Sequence, residues 1–129
     1  MTEILKCDHV VYAIHFDDKR IKVGVTSNIQ KRLRYYVQEA RRNRVEGLTW
    51  WASSPAPKSL AYLIERHFCR RNKAIAMPSH REWFDGVSYA SILAALENMR
   101  VQCAEALGEH PADVPYDGSS GRVEAWGTA

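Results

Sequence analysis

Two β-branched segments lie close together near the start of the chain, and they restrict what this part of it can form. Residues 9–16 read HVVYAIHF and residues 20–26 read RIKVGVT, with the polar turn DDK between them. Runs of β-branched and aromatic residues favour strands, and so short a turn favours antiparallel pairing. The sequence therefore predicts a β-hairpin. Alternation divides its second strand into two faces, one with Ile21, Val23 and Val25 and the other with Lys22, Gly24 and Thr26.

A helix is predicted to follow the hairpin directly. Ser27 followed by Gln30 matches a capping box for a helix that begins near Asn28. The basic run at residues 41–44 places positive charge at the negative end of the helix dipole, where the helix should end. Apolar residues recur between these limits at helical spacing: Ile29, Leu33, Tyr36, Val37 and Ala40.

The rest of the chain predicts one further strand and two further helices. The segment LTWWAS at 48–53 is typical of a strand, and SLAYLIERHFCRRN at 59–72 is typical of a helix. Residues 73–86 are expected to connect this helix to another at about 88–107. The predicted fold class is therefore α+β, a small three-stranded antiparallel sheet flanked by helices, with an extra C-terminal helix. Residues 1–107 would form the domain and residues 108–129 a flexible, extended or disordered acidic tail.

Basic residues are concentrated in the middle of the chain. Residues 19–73 hold 14 Lys/Arg and 3 Asp/Glu, whereas residues 82–129 hold 2 Lys/Arg and 8 Asp/Glu. This asymmetry predicts one face that attracts polyanions, and nucleic acid is the expected partner. The other interpretation is a solvated helix surface rich in arginine and lysine.

Composition disfavours several other classes of protein. A chain of 129 residues corresponds to about one domain. No apolar run reaches the roughly 18 residues of a membrane-spanning helix, and the first residues lack the pattern of a signal peptide. The three scattered cysteines fit reduced thiols better than a disulfide framework. We therefore expect a cytoplasmic protein that does not act at a membrane.

Two charged side chains stand out as candidates for chemistry. On a helical wheel Arg32 lies about 40° from Tyr36 and about 60° from Ile29, at the edge of the buried face. An arginine there can hold a phosphate bidentately, or it can simply lie over the edge of the sheet. Glu65 is surrounded by small and apolar residues in LIERHF, and a buried carboxylate is paired or bound to a metal.

The other side of the helix that carries Glu65 is basic. Lys58, Tyr62, Arg66 and Arg70 follow one another at i, i+4 spacing along residues 58–70. The pattern predicts either a solvated surface or one that faces DNA.

Taken together, these segments resemble the GIY-YIG nuclease superfamily. The motifs are VVY at 10–12, KVG at 22–24, and a glutamate in the later helix at Glu65. An arginine, Arg32, stands ten residues after the position of the second tyrosine. AYLIERHF followed by REWF at 81–84 resembles the short, phage-associated branch, in which KIG often replaces YIG. The resemblance covers residues 9–86. The sequence departs from the superfamily in having VVY for GIY and Lys22 where the second tyrosine usually stands.

The resemblance implies a metal-dependent endonuclease that hydrolyses phosphodiester bonds in DNA. It implies that Tyr12 acts as general base, helped by the ammonium of Lys22, while Arg32 holds the phosphate. Tyr36, one turn after Arg32, would orient that phosphate, and Glu65 would bind Mg²⁺ or Mn²⁺. Asn28 is assigned a capping role, and Glu82 and Trp83 a structural one. Gly24 is expected to let the substrate backbone approach the strand.

Two other functions remain open at this stage. The missing second tyrosine motivates a nucleic-acid-binding module of the same fold with little or no catalysis. A protein-interaction domain is the third interpretation, in which the acidic tail binds a basic partner or covers the basic face of its own chain. The expected partner is double-stranded DNA, and a homodimer or a partner protein could supply the specificity that so small a domain lacks.

Overall fold

The computed structural model describes residues 7–72, 76–77, 80–85, 87–106 and 119–126. Three helices accompany the sheet in this part of the chain: α1 (Ile29–Arg42), α2 (Lys58–Arg71) and α3 (Tyr89–Ala106). The strands are β1 (Cys7–Phe16), β2 (Ile21–Thr26), β3 (Gly47–Ala52), β4 (Ala56–Pro57), β5 (Ala76–Met77), β6 (His80–Phe84) and β7 (Ser119–Glu124). No helix in these ranges is both long enough and apolar enough to cross a membrane.

The strands form one antiparallel sheet with the predicted hairpin at its centre. The strand order is β5-β6-β2-β1-β3-β7, and β4 pairs with the start of β1. In the hairpin Tyr12 lies opposite Gly24 and Ile14 lies opposite Lys22. The α+β class is therefore confirmed, and so is the antiparallel core formed by β2, β1 and β3.

Each face of the sheet is covered by a separate helical layer. Tyr12, Ile14 and Phe16 of β1 share one buried cluster with Leu33 and Tyr36 of α1. The alternating residues of the same strand belong to a second cluster with α2 and α3, which includes Val11, Ala13, Ile64, Phe68 and Leu96. Because successive strand residues point to opposite faces, α1 lies on one side of the sheet and α2 with α3 on the other.

Helix α1 begins one residue later than a cap at Ser27 would place it. The N-cap is Asn28, whose side-chain oxygen accepts a hydrogen bond of 3.1 Å from the backbone N–H of Lys31. Thr26 holds this cap in place, because its hydroxyl oxygen accepts a 3.0 Å hydrogen bond from the N–H of Asn28. The capping role assigned to Asn28 is confirmed, and the box based on Ser27 is not formed.

Four strands, including the two-residue β4, lie where the sequence predicted none. The stretch at 73–86 was expected only to connect two helices, but β5 and β6 form there, and β6 pairs with β2 through Ile21–Phe84 and Lys22–Trp83. The predicted tail contains β7, which pairs with the whole length of β3. Short strands such as these lack a clear alternating pattern, and pairing with a neighbouring strand decides their structure. The proposed domain boundary at residue 107 stays a prediction.

An ion-pair network fastens β7 to the turn of the hairpin. The Arg122 guanidinium donates hydrogen bonds of 2.8 and 2.7 Å to the two carboxylate oxygens of Asp17, and another of 2.7 Å to Glu124. These bonds hold the pKa of Asp17 below its usual range. The strand at Ser119–Glu124 is therefore attached to the sheet, so this part of the predicted tail is extended rather than disordered.

Replacing Phe68 by alanine should destabilise the fold strongly. Its ring is fully buried and packs edge-on against Phe84, with a centroid distance of 5.3 Å. Removal of so large a buried side chain costs about 3–5 kcal/mol, mostly as lost packing and an unfilled cavity. Arg66→Ala, on the exposed side of the same helix, should change the free energy of unfolding by less than about 0.5 kcal/mol. Urea unfolding of both variants measures the difference, and similar values for the two would contradict this description of the core.

Candidate functional site

A cationic cleft opens on the α1 side of the sheet. Its volume is about 510 Å³, and it lies between α1, the start of β2 and the end of β6. Its lining residues are Arg20, Lys22, Arg32, Tyr35, Tyr36, Glu39 and Trp83. Three of them are cationic and only Glu39 is anionic, and the Glu39 carboxylate already accepts a 2.8 Å hydrogen bond from Arg42. The cleft therefore presents net positive charge to solvent.

Trp83 organises the cations at one side of this cleft. The Lys22 ammonium lies 5.7 Å from the centroid of its ring, and the Arg20 guanidinium lies 5.2 Å from it. The indole also stacks on Phe16 at a centroid distance of 5.6 Å, which fixes its position, and the Arg20 guanidinium lies 5.2 Å from the Phe16 centroid as well. Such cation–π contacts are favourable and keep both cations beside the cleft. Arg20 is also ion-paired with Asp18 at 2.7 Å.

Neither Trp83 nor Arg20 was predicted to belong to the site. The sequence predicts a structural role for the Trp83 ring, and its packing on Phe16 agrees with that role. Its place beside Lys22 depends on the pairing of β6 with β2. Because β6 itself was not predicted, the sequence offered no direct signal for this contact.

Arg32 lies where two depressions of the surface meet. It is exposed on α1, and it lines both the cleft and an adjoining pocket of about 530 Å³ together with Tyr35. The adjoining pocket is otherwise polar, with Thr26, Ser27, Asn28 and Lys31 at its wall. The guanidinium is therefore accessible from both sides. This is the arrangement expected for a group that binds an external anion.

Tyr12 and Tyr36 form a buried pair directly beneath the cleft. Their hydroxyl oxygens are 3.1 Å apart, and the two side chains are only 2% and 3% exposed. Burial raises the pKa of Tyr36 well above its usual value, and the neighbouring Tyr12 adds to this effect, while the charge of Arg32 opposes it. The Tyr36 phenol is therefore neutral throughout the physiological pH range.

Gly24 makes room for Tyr12. A Cβ atom at residue 24 would lie 2.5 Å from the Tyr12 hydroxyl oxygen and 2.6 Å from Cζ, far inside van der Waals contact. The glycine was expected to let a substrate approach the strand. In the structure the Tyr12 ring fills that space, so the expectation is wrong. The missing side chain instead allows the tyrosine to lie flat across β2.

Glu65 is carried by the other helical layer. It lies half-buried on α2, and its Oε1 accepts a hydrogen bond of 3.6 Å from the Cys69 thiol one turn later. The structure thus brings Tyr12, Lys22, Arg32 and Tyr36 together on the α1 side, and it places Glu65 on a helix that packs against the opposite face of the sheet.

Few metal-binding side chains lie near Glu65 in the described part of the chain. Among the residues that the structure describes, no three His, Cys, Asp or Glu side chains are grouped so that they could hold a metal ion. A single carboxylate is still compatible with Mg²⁺, which usually keeps several water ligands and takes one or two carboxylates together with substrate phosphate oxygens. The metal ligation expected of Glu65 stays a prediction.

The fold and the cleft together define a small α+β domain that presents an arginine- and lysine-lined depression to solvent. The chain belongs to the T5orf172 domain family, whose model matches residues 9–100, more than half of its length. This is a phage-associated family related to nuclease-type domains, and membership indicates a nuclease or DNA-binding role. Comparisons with curated proteins and with solved structures gave no match.

Gly24→Ala should destabilise the protein although alanine is ordinarily the better residue in a strand interior. The Tyr12 ring would have to move away from the new methyl group, and that movement strains the contact with Tyr36. We expect a cost of about 1–3 kcal/mol, typical of overpacking. In a Tyr12→Leu background, where the clashing phenol is absent, the same substitution should cost much less. Chemical denaturation of the four proteins measures the coupling, and equal costs in both backgrounds would contradict it.

Alkaline pH should weaken the fold through Tyr36. A buried phenol with a raised pKa stays protonated in the folded state, whereas an unfolded tyrosine ionises near pH 10. The unfolded chain then binds fewer protons, so stability is fully present below about pH 10 and falls as pH rises beyond it. The slope from one group approaches about 1.4 kcal/mol per pH unit. Tyr36→Phe should flatten the decline, and Tyr35→Phe, whose ring is half-exposed, should not. Unfolding curves between pH 8 and 11 distinguish the two.

Proposed function

We propose that this domain is a metal-dependent endonuclease of the GIY-YIG type that binds DNA over the cationic cleft. The observation that carries the proposal is the presence of Lys22 and Arg32 in one cleft, directly above the Tyr12–Tyr36 pair. Membership of a phage-associated, nuclease-related family supports the same reaction class. Phosphodiester hydrolysis requires a held phosphate and stabilisation of developing negative charge, and this cleft offers two cations for both tasks.

The cations have different roles in this proposal. Arg32 is exposed, and its planar guanidinium can bind two phosphate oxygens at once. Lys22 is only 9% exposed and lies over the Trp83 ring, so its ammonium is a positioned charge rather than a mobile one. A negative phosphate in the cleft would therefore meet one bidentate donor and one fixed point charge.

Tyr12 is the proposed general base, and Tyr36 is its positioning residue. The hydrogen bond between the two hydroxyls holds the Tyr12 phenol over Gly24, on the side of β2 that Lys22 occupies. Because the neutral phenol of Tyr36 is favoured, it can donate this hydrogen bond and so stabilise a Tyr12 phenolate. Glu65 is the predicted ligand of the divalent cation, which when bound would supply Lewis acidity, but it belongs to the helical layer on the other face of the sheet from the cleft. Charge stabilisation at the held phosphate is therefore assigned to Arg32 and Lys22 alone.

A second function is favoured by the burial of Tyr12. With 2% of its surface exposed, the phenol meets solvent only if DNA binding rearranges the cleft. A domain in which it stayed buried would bind DNA without cutting it. The expected location in the cytoplasm, and a homodimer or partner protein that supplies specificity, stay predictions for both functions.

Plasmid cleavage tests the choice between hydrolysis and binding. Supercoiled DNA should be nicked in Mg²⁺ or Mn²⁺ but not in EDTA. Arg32→Ala should lower the rate by about 10²-fold or more, as expected for loss of charge stabilisation at the reacting phosphate. Glu65→Gln, which removes the predicted metal ligand, should lower the rate as well. Arg34→Ala and Glu46→Gln are matched controls, since both side chains are exposed and outside the cleft, and they should cleave at the wild-type rate.

Two outcomes would contradict the proposed endonuclease activity. Cleavage by both site variants at the wild-type rate would exclude Arg32 and Glu65 from the reaction. Salt-sensitive DNA binding that depends on Arg32, with no metal-dependent cleavage of duplex, branched or single-stranded DNA, would instead establish the binding module.

A further inference from the structure

The exposed side of α2 carries a second set of cations, on the other face of the sheet from the cleft. We name Lys58, Tyr62, Arg66 and Arg70 the α2 ladder; all four side chains are exposed. At i, i+4 spacing the members follow one another about every 6 Å, and the whole ladder spans about 18 Å. That length corresponds to about five base-pair steps of duplex DNA.

Four arginines elsewhere in the described part of the chain are paired with carboxylates. Arg20, Arg42, Arg100 and Arg122 each form an ion pair with an Asp or Glu at 2.7–2.8 Å. Within the described part of the chain, no such pair involves Lys58, Arg66 or Arg70. The α2 sequence KSLAYLIERHFCRR contains four Lys/Arg and one acidic residue, Glu65, whose Oε1 accepts from Cys69. The exposed side of α2 is therefore basic.

An open groove runs beside the first half of the α2 ladder. Its volume is about 620 Å³, and Lys58, Tyr62 and Arg66 form one wall of it. On the other wall His9 contacts the Tyr62 ring at a centroid distance of 6.2 Å. The Asp8 carboxylate, the one acidic group among the described residues that line this groove, is hydrogen-bonded to His9 at 2.8 Å. Two cations and a tyrosine hydroxyl are the side chains that commonly contact DNA phosphates.

The two cationic surfaces cannot lie along one straight duplex. The cleft belongs to the α1 layer, and the α2 ladder belongs to the layer that packs on the opposite face of the sheet. We propose that the α2 ladder binds the phosphate backbone of a second duplex segment, so that one domain holds two DNA segments, one on each side of its sheet. The proposal rests on the proposed function only in that DNA is the partner, and it specifies the substrate class as crossing or branched duplex.

Binding in EDTA, without cleavage, tests the ladder. With the cleft occupied by an unlabelled duplex, the variant Lys58→Gln, Arg66→Gln, Arg70→Gln should weaken binding of a second, labelled duplex at least tenfold at 0.1 M salt. Loss of three phosphate contacts should also reduce the slope of log K against log salt for this second duplex by about 2.7, which corresponds to about 40-fold between 50 and 200 mM. The charge-matched control is Lys19→Asn, Arg34→Gln, Arg44→Asn. Asparagine is chosen where the backbone is left-handed, at Lys19 and Arg44. The control variant should retain nearly wild-type affinity for both duplexes.

A two-colour experiment tests the second segment itself. Donor- and acceptor-labelled duplexes should be brought together by the wild-type protein, and both the ladder variant and Arg32→Gln should lose this energy transfer while each still binds one duplex. Wild-type affinity and slope for the second duplex in the ladder variant, or an equal loss in the control, would overturn the proposal. Weaker binding by the ladder variant without bridging by the wild type would overturn it too, because both surfaces would then contact one duplex.

The proposed hydrolysis and the proposed second DNA-binding surface can be disproved independently of each other. A protein that bridges duplexes in EDTA but never cleaves DNA contradicts only the proposed hydrolysis. A protein that cleaves DNA in Mg²⁺ but whose ladder variant binds like the wild type contradicts only the second binding surface.

Discussion

The fit between Tyr12 and Gly24 is the contact on which the rest of the site depends. The two residues lie opposite each other in the central hairpin, and the tyrosine ring occupies the space that any side chain at residue 24 would fill. This lets the Tyr12 hydroxyl reach Tyr36 of α1 and links the helix to the sheet by a buried hydrogen bond. With α1 held there, Arg32, one turn before Tyr36, lies at the rim of the same cleft that Lys22 enters from β2. A single missing Cβ atom thus sets the relative position of the two cations.

Electrostatics give this arrangement its chemical character. Most arginines with a described contact are paired with carboxylates, which neutralises the surface around the hairpin turn and along α3. In the cleft Lys22 lies over the Trp83 ring, and an aromatic ring stabilises a cation without cancelling its field. Arg20 also contacts this ring and is paired with Asp18. Positive charge is therefore present in the cleft, from Lys22 and Arg32, and on the exposed side of α2. A compact domain with two such regions is suited to a polyanion.

Much of this could be predicted from local sequence. The β-branched runs define the hairpin, and the apolar spacing of Leu33, Tyr36 and Ala40 defines the buried side of α1. Because a strand residue and its neighbour two places on share a face, the common side of Lys22 and Gly24 was also predictable. The position of Arg32 at the edge of the buried face followed from helical geometry alone.

The rest depends on long-range pairing that a single sequence does not encode locally. Trp83 reaches the cleft only because β6 pairs with β2, and β7 exists only because β3 offers an edge over its whole length. The role of Gly24 could not be predicted because it is decided by the ring of a residue on the partner strand. The face of the sheet on which Glu65 lies is decided by how the side chains of α2 pack against β1 and β2. The spacing of residues along the sequence does not determine that packing.

The central claim is that Arg32 and Lys22 hold a DNA phosphate in the cleft beside Tyr36. A crystal structure of the protein with a short duplex and Mn²⁺ tests it most directly. The account predicts a phosphate group within hydrogen-bond distance of the Arg32 guanidinium and the Lys22 ammonium, with Trp83 at the side of the bound strand. DNA that was well ordered elsewhere on the protein, with no phosphate within reach of either cation, would contradict it.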